Sequence, residues 1–339
     1  MRLLIITQKA DQSDPILGFF HRWIEEFAAK CDSVTVIAQK TGEFHFESNV
    51  KVFSLGKEDG RSKIRQVLRF WMLMWNNRNS YDCVLVHMTP IWVILGWPIW
   101  FVIRKPLFLW YEIRRGSLKL SLALLLVEKV FSATVHGLPS SSKKQVVTGH
   151  GIDLQTFIPD PSKRERGLVI AVGRITRSKH FDVILKVFAQ LPPTTRLLIA
   201  GGIITNADSK ESSSLERLMR ALGITDRVTI DWVPPSRIAA ILQRADLMLH
   251  ACEGGLDKTV LEAMACGCPV VSSSPAAQEV LSESCQATGE SMGERAGAIL
   301  AMSDAERSVL SLDLRRRVEA SHDLRALIRN MAGIMERSS

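Results

Sequence analysis

The sequence contains no Cys-x-x-Cys pair, no small-residue cleavage site after its first apolar run, and no recognisable nucleic-acid-binding motif. The first absence argues against a zinc site or a disulfide framework. The six cysteines, at positions 31, 83, 252, 266, 268 and 285, sit mostly in apolar runs and read as reduced, buried thiols of a cytosolic protein. The opening run MRLLIITQ is short, so a signal peptide is not expected. The net charge of +8 is uneven: residues 1–160 carry 20 Lys/Arg against 14 Asp/Glu. Such an excess fits an ordinary solvated surface, or attraction to anionic membrane lipid or an anionic acceptor. Without a motif beside it, nucleic acid is not an expected partner.

What the sequence does have is enough apolar residue for a core, 46% of 339 residues, and a length that suits two domains. Arg2–Thr7, Ser33–Gln39 and the VKVFSLG run read as strands, Phe19–Ala29 and Ser62–Asn77 as helices. Strand and helix in alternation predict a doubly wound α/β sheet whose binding crevice lies at the C-terminal strand ends. Gly18, in the loop after the first strand, is placed to approach a ligand there. Leu118–Val130 reads as a helix, SATV as a short strand, and the Pro159 to Arg166 stretch as a linker. From Gly167 the pattern restarts, with strands at GLVIAVGRI, TRLLIAGG and RVTIDWV and helices at Phe181–Leu191, Leu215–Leu222 and Ser236–Arg244. Asp323–Met335 is an amphipathic helix with Leu324, Leu327, Ile328, Met331 and Ile334 on one face. The expected domains are 1–162, 163–318, and a C-terminal helix at 319–339 packing back on the first.

Val84–Ile103 carries no Asp, Glu, Lys or Arg, which meets the length of a membrane span. Its His87, two prolines and Gly96 instead fit strand, loop and helix inside an α/β core. Shallow insertion of its Trp-rich helix, with Arg104 and Lys105 at the headgroups, is the other reading.

The stretch Glu253–Pro269, EGGLDKTVLEAMACGCP, follows an apolar strand, Asp246–Cys252, and feeds a helix at Thr259–Cys266. A glycine-containing loop at a helix N-terminus presents backbone N–H groups to a phosphate or a sugar oxygen. Glu253 and Glu262 can accept from hydroxyls, and Arg174 and Lys179, flanking the turn after GLVIAVG, supply cations for a diphosphate. Residue chemistry alone predicts binding of something phosphorylated and hydroxylated.

At GRITRSK, AGG, EGGLDKTVLEAMACGCPVV, MRLLIITQ and SKKQVVTGHGIDLQTF the chain resembles the family 4 glycosyltransferases (glycosyl transferases group 1). The resemblance implies a GT-B fold, two Rossmann-like domains facing across a cleft. It implies retaining, metal-independent transfer from a nucleotide-sugar donor to a glycan or lipid-linked acceptor in polysaccharide or envelope synthesis. The protein would be cytoplasmic, with peripheral contact to an anionic membrane, and would need no cofactor. By the same resemblance, Arg174 and Lys179 grip the donor diphosphate and stabilise the leaving group, with Glu253 as the third catalytic residue. Gly255, Leu256, Asp257 and Lys258 match the family's donor loop and Glu262 binds the ribose; Gly173, and Gly18 from its loop position alone, are also expected to line the donor. Two departures stand out. Eight residues separate Glu253 from Glu262 where the family has seven, which puts Gly254 at the family position. Ile113, beside Glu112, stands where relatives carry a histidine. A non-catalytic nucleotide-sugar-binding protein and an epimerase of the same fold are the alternatives.

Overall fold

The computed structural model describes residues 1–113, 116–203 and 205–338. The chain divides into two compact units: Met1–Gly151 with the chain from His322 onward, and Ile152–Ser321.

The first unit runs β1 (Arg2–Ala10), α1 (Phe19–Ala28), β2 (Ser33–Thr41), β3 (Val50–Ser54), α2 (Lys63–Asn76), β4 (Cys83–His87), α3 (Pro90–Val102), β5 (Leu107–Trp110), α4 (Leu118–Leu126), β6 (Lys129–Ser132) and β7 (Gln145–Val147). The strands form one sheet in the order β3-β2-β1-β4-β5-β6-β7, every pair parallel. Such strands are covered on both faces, which is why CVLVH is apolar along its length and wholly buried. The second unit runs β8 (Leu168–Val172), α5 (Phe181–Phe188), β9 (Arg196–Ala200), α6 (Asn206–Leu222), β10 (Val228–Asp231), α7 (Pro235–Arg244), β11 (Leu247–His250), α8 (Lys258–Ala265), β12 (Val270–Ser272), α9 (Pro275–Gln278), α10 (Met292–Leu300) and α11 (Asp304–Ser321). Its parallel sheet has the order β10-β9-β8-β11-β12. The last helix, α12 (Leu324–Ser338), belongs to the first unit.

One face of the first sheet is covered by α1 and α12, the other by α2, α3 and α4. Helix α12 buries Leu324, Leu327, Ile328 and Met331 against Trp23, Ile24 and Phe27; Met335 completes the stripe, and Ile334 is only half-buried. Arg325 Nε lies 3.4 Å from Glu26 Oε1. The division falls at Gly151, ahead of the stretch expected as a linker, because that stretch is tied into the second unit. Arg164 pairs with Asp304 at 2.5 Å, and Glu165 with Arg244 at 2.6 Å. At the other end, α11 continues to Ser321 with Leu310, Leu314 and Val318 in the second core.

Several local expectations need correction. The helix expected over Leu118–Val130 stops at Leu126, where Lys144 Nζ donates to the carbonyls of Leu124, Leu125 and Val127 at 2.7–3.1 Å. The next strand is Lys129–Ser132, not SATV: the N–H groups of Ala133 and Thr134 turn to the Glu112 carboxylate (2.6 and 3.4 Å) instead of a neighbouring strand. Helix α6 begins nine residues before Leu215, launched by a capping box in which Thr205 and Asp208 bond each other's backbone N–H. Its polar first half, NADSKESSS, hides it from any apolar periodicity. Among the described residues no helix is long and apolar enough to cross a membrane. Residues 84–103 form a buried strand and a 13-residue helix interrupted by Pro98.

Candidate active site

In the second sheet the chain leaves β8 toward β9 on one side, while β11 lies on the other. The C-terminal ends of strands at such a reversal of order leave an open crevice. Two connections meet there. Gly173, Arg174 and Lys179 follow β8; Glu253 to Glu262 follow β11 and enter α8.

Gly173 is glycine for a reason visible in the packing. Its φ is 147°, and a Cβ there would stand 2.7 Å from Lys179 Cε. The bare backbone lets the lysine stem run across it to Asp257, with which Lys179 makes an ion pair. Burial opposes the Lys179 ammonium, but Asp257 outweighs burial and its pKa stands above the ordinary value. Burial likewise opposes the Asp257 carboxylate; Lys179 and His250 outweigh it and hold the pKa well below the usual range. Asp257 also caps α8 by accepting from the Thr259 N–H at 3.3 Å. Arg174 is exposed, and among the described residues it has no ion-pair partner.

One turn into α8, Lys258 Nζ is 3.8 Å from Glu262 Oε1, both side chains more than four-fifths buried. Burial pushes the Glu262 pKa up and the Lys258 pKa down, each only partly relieved by the other. Glu253 is different: its side chain is 81% exposed, 3.2 Å from His180 Nε2. Gly254, at the family's glutamate position, has φ 130° and open space where a Cβ would be. That backbone strains any L side chain, so a glutamate at this position would be disfavoured. Leu256 is 3% exposed and packs into the core. Its side chain anchors the loop and is turned away from the solvent, which leaves only its backbone open to the crevice. Gly255 is half-buried beside it. Gly18 lies in the other unit, where a Cβ would stand 2.6 Å from the Asp14 carbonyl oxygen and 2.8 Å from that of Gln12. Its glycine serves the turn of its own loop.

Sequence reading passed over two histidines. His250, 3% exposed, ends β11 with Nδ1 2.8 Å from Ser272 Oγ on β12 and Nε2 3.5 Å from Asp257. It looked like one more residue of a buried strand; only the neighbouring strand and the loop give it partners. His180 takes a left-handed backbone, φ 49°, as it opens α5. His250, Cys252 and Asp257 also bring three ligand-type atoms within 4.8 Å of one another. The Lys179 ammonium on Asp257 already supplies the positive charge an ion would bring.

The first sheet has its own reversal of order, between β1 and β4. There His87 is 1% exposed, stacked on Phe20 at 3.9 Å with Nδ1 3.4 Å from Thr7 Oγ1. The His150 N–H donates to His322 Nδ1 at 3.2 Å. Glu112 accepts from Ala133 N, Thr134 N and Thr134 Oγ1, which commits its carboxylate to the loop after β6.

Residues 155–287 match the family of glycosyl transferases group 1. D-inositol 3-phosphate glycosyltransferase of Mycobacterium leprae is 36% identical over 134 residues, covering 36% of this chain and 30% of that protein. The protein of the same name from Mycolicibacterium smegmatis is 33% identical over 178 residues, 48% of this chain and 40% of its own length. The chain thus spans less than half the length of these relatives. Over the whole chain the fold is similar to Anabaena HepE in complex with UDP-glucose, with a TM-score of 0.78 at 17% identity over 99% of this chain and 100% of that one. It is also similar to sucrose-phosphate synthase from Thermosynechococcus elongatus, with a TM-score of 0.80 at 17% identity over 99% of both chains. Residues 155–287 are therefore a domain of the glycosyl transferases group 1, set in a chain of GT-B fold.

Proposed function

We propose that the chain is a retaining glycosyltransferase that moves a sugar from a nucleotide-sugar donor to a glycan or lipid-linked acceptor in envelope or polysaccharide synthesis. The observation that carries this reading is the meeting of Lys179, Arg174, Asp257 and Glu262 on two adjacent connections at the sheet reversal. Departure of a nucleoside diphosphate builds negative charge on the β-phosphate oxygens, and preorganised cations aimed at that charge are the largest catalytic term. Lys179, held in line by Asp257, and Arg174, exposed and without an ion-pair partner among the described residues, are such cations. The buried Glu262 accepts from a ribose hydroxyl, the backbone of Gly255–Lys258 cradles the donor, and Glu253 lies at the exposed rim of the loop. Two protein cations on the leaving group leave transfer independent of a resident metal, so chelator leaves the rate unchanged. The acceptor side meets anionic lipid at the cytoplasmic face of a membrane.

The test is a panel of UDP-, GDP- and ADP-sugars offered to folded protein, with release of nucleoside diphosphate and anomeric product followed by NMR. Transfer or slow donor hydrolysis with retained configuration supports the proposal; binding of nucleotide by calorimetry with no turnover of any donor overturns it. Ile113→His separates the remaining readings. A gain of turnover marks a weakened enzyme, and no change marks a site that works without that histidine.

A further inference from the structure

Helix α2 is apolar on two faces. One face, with Phe70, Leu73 and Met74, is buried against the sheet. The other, with Ile64, Leu68, Trp71, Met72 and Trp75, is exposed, Ile64 by 73% and Leu68 by 56%. These five positions recur at helical spacing, so they form a stripe and not scattered residues. The neighbouring helices extend it. Phe101 and Val102 at the end of α3 are 66% and 72% exposed, and Leu118 and Leu125 on α4 are 91% and 75% exposed. Helix α3 packs against both α2 and α4, so the three form one layer whose outer side is apolar.

The charge on that layer has one sign. Among α2, α3 and α4 there is no Asp or Glu, while Lys63, Arg65 and Arg69 lie on α2 and Lys119 on α4, and Arg78 and Arg104 follow α2 and α3. The Arg78 guanidinium sits over the Trp75 ring, 4.8 Å from its centroid. Contiguous exposed apolar surface of this extent marks an interaction site. A second copy would bring like charges together. Apolar side chains mixed with Trp and fringed by cations fit the boundary between acyl chains and anionic headgroups.

We infer that the outer face of α2, α3 and α4 is a docking surface for an anionic lipid bilayer, with the α2 stripe as its apolar wedge. The Trp-rich helix of residues 84–103, whose shallow insertion is the second of the two readings of that segment, is not the main contact. Trp92 and Trp100 of α3 are buried beneath the layer, and Lys105 lies over the Tyr81 ring. The inference extends the reading above by naming where the chain meets the membrane, and its readout is lipid binding rather than transfer.

The test is flotation of the full chain with phosphatidylcholine vesicles, with and without phosphatidylglycerol, joined to tryptophan quenching by brominated lipid. Wild type should co-float with the phosphatidylglycerol vesicles, release at high salt and show quenched tryptophan. Ile64→Ser, Leu68→Ser and Trp75→Ser combined should lower partition by roughly tenfold or more. Lys63→Glu with Lys119→Glu should lower it by roughly tenfold or more on anionic vesicles. These positions are exposed, so circular dichroism and Tm should stay near wild type. Unchanged flotation of the triple variant, or no preference for phosphatidylglycerol, overturns the inference. So does a wild-type dimer that the triple variant makes monomeric, since a second copy would then cover the face.

Discussion

The two sheets reverse their strand order in the same way, yet the chemistry at the two reversals is opposite. In the second unit the strand ends carry an ion pair, an exposed arginine and a buried Lys–Glu couple. In the first, the end of β4 is packed with Phe20, Trp23, Trp110 and a stacked His87. The same reversal of strand order therefore leaves charged groups at one set of strand ends and a packed aromatic cluster at the other. Fixed charge at a strand end suits an anion, whereas the rings and imidazole of the first unit are no more than 2% exposed and pack on one another as core.

Removing charge from the second unit is the strongest way to break that contrast. Lys179→Ala should lower kcat by about 10²- to 10³-fold. It also leaves Asp257 buried without its cation, at a stability cost of about 3–5 kcal/mol. Lys179→Ala with Asp257→Asn separates the two effects: Tm should recover while kcat stays low. Recovery of both in the double variant would make Lys179 a folding residue only.

The first unit should respond to pH through one buried imidazole, in the opposite sense to the buried Glu262 of the second, whose raised pKa removes stability as pH rises. Burial lowers the pKa of His322 from 6.5 to about 4. A depressed folded pKa means the unfolded chain takes up the proton first. Stability present above pH 6.5 is then lost as pH falls toward 4, by about 3 kcal/mol in all. Denaturant melts at stepped pH should show the loss as the difference between wild type and His322→Gln, which removes the Glu262 contribution common to both. A loss as large in the variant would assign the effect to another group.

Arg174→Ala is the cleaner test of the proposed donor site, since the side chain is exposed. Turnover should fall by about tenfold to a hundredfold, with stability unchanged to about 0.5 kcal/mol. Parallel losses of Tm and kcat would remove its proposed role. The smallest effect is expected at Glu112→Gln. It should cost about 1–2 kcal/mol through the loop after β6 and leave the affinity for donor nucleotide unchanged, as measured by calorimetry.

Most of the alternation of strand and helix is legible because buried parallel strands are continuous apolar runs and most helices carry an apolar stripe. The failures have local causes. SATV has strand composition, but the Glu112 carboxylate, 21 and 22 residues upstream, takes the N–H groups of Ala133 and Thr134. The first half of α6 is too polar to show a period and is held by its capping box. At the site, the cations and Glu262 stand out as charges beside glycine loops. His250 does not, since its partners lie on another strand and in the next loop.

The amino-acid sequence alone determined the doubly wound class, the amphipathic C-terminal helix and the short list of charged groups near the glycine loops, because each is written in local period or residue type. Tertiary structure decided which of those groups meet. It set Lys179 across Gly173 onto Asp257, turned Leu256 into the core, left Glu253 at the rim, and gave Glu112 to a loop. It also left one face of α2 uncovered. Those outcomes depend on which strands are neighbours and which helices share a layer, and contacts between residues distant along the chain leave no local signature.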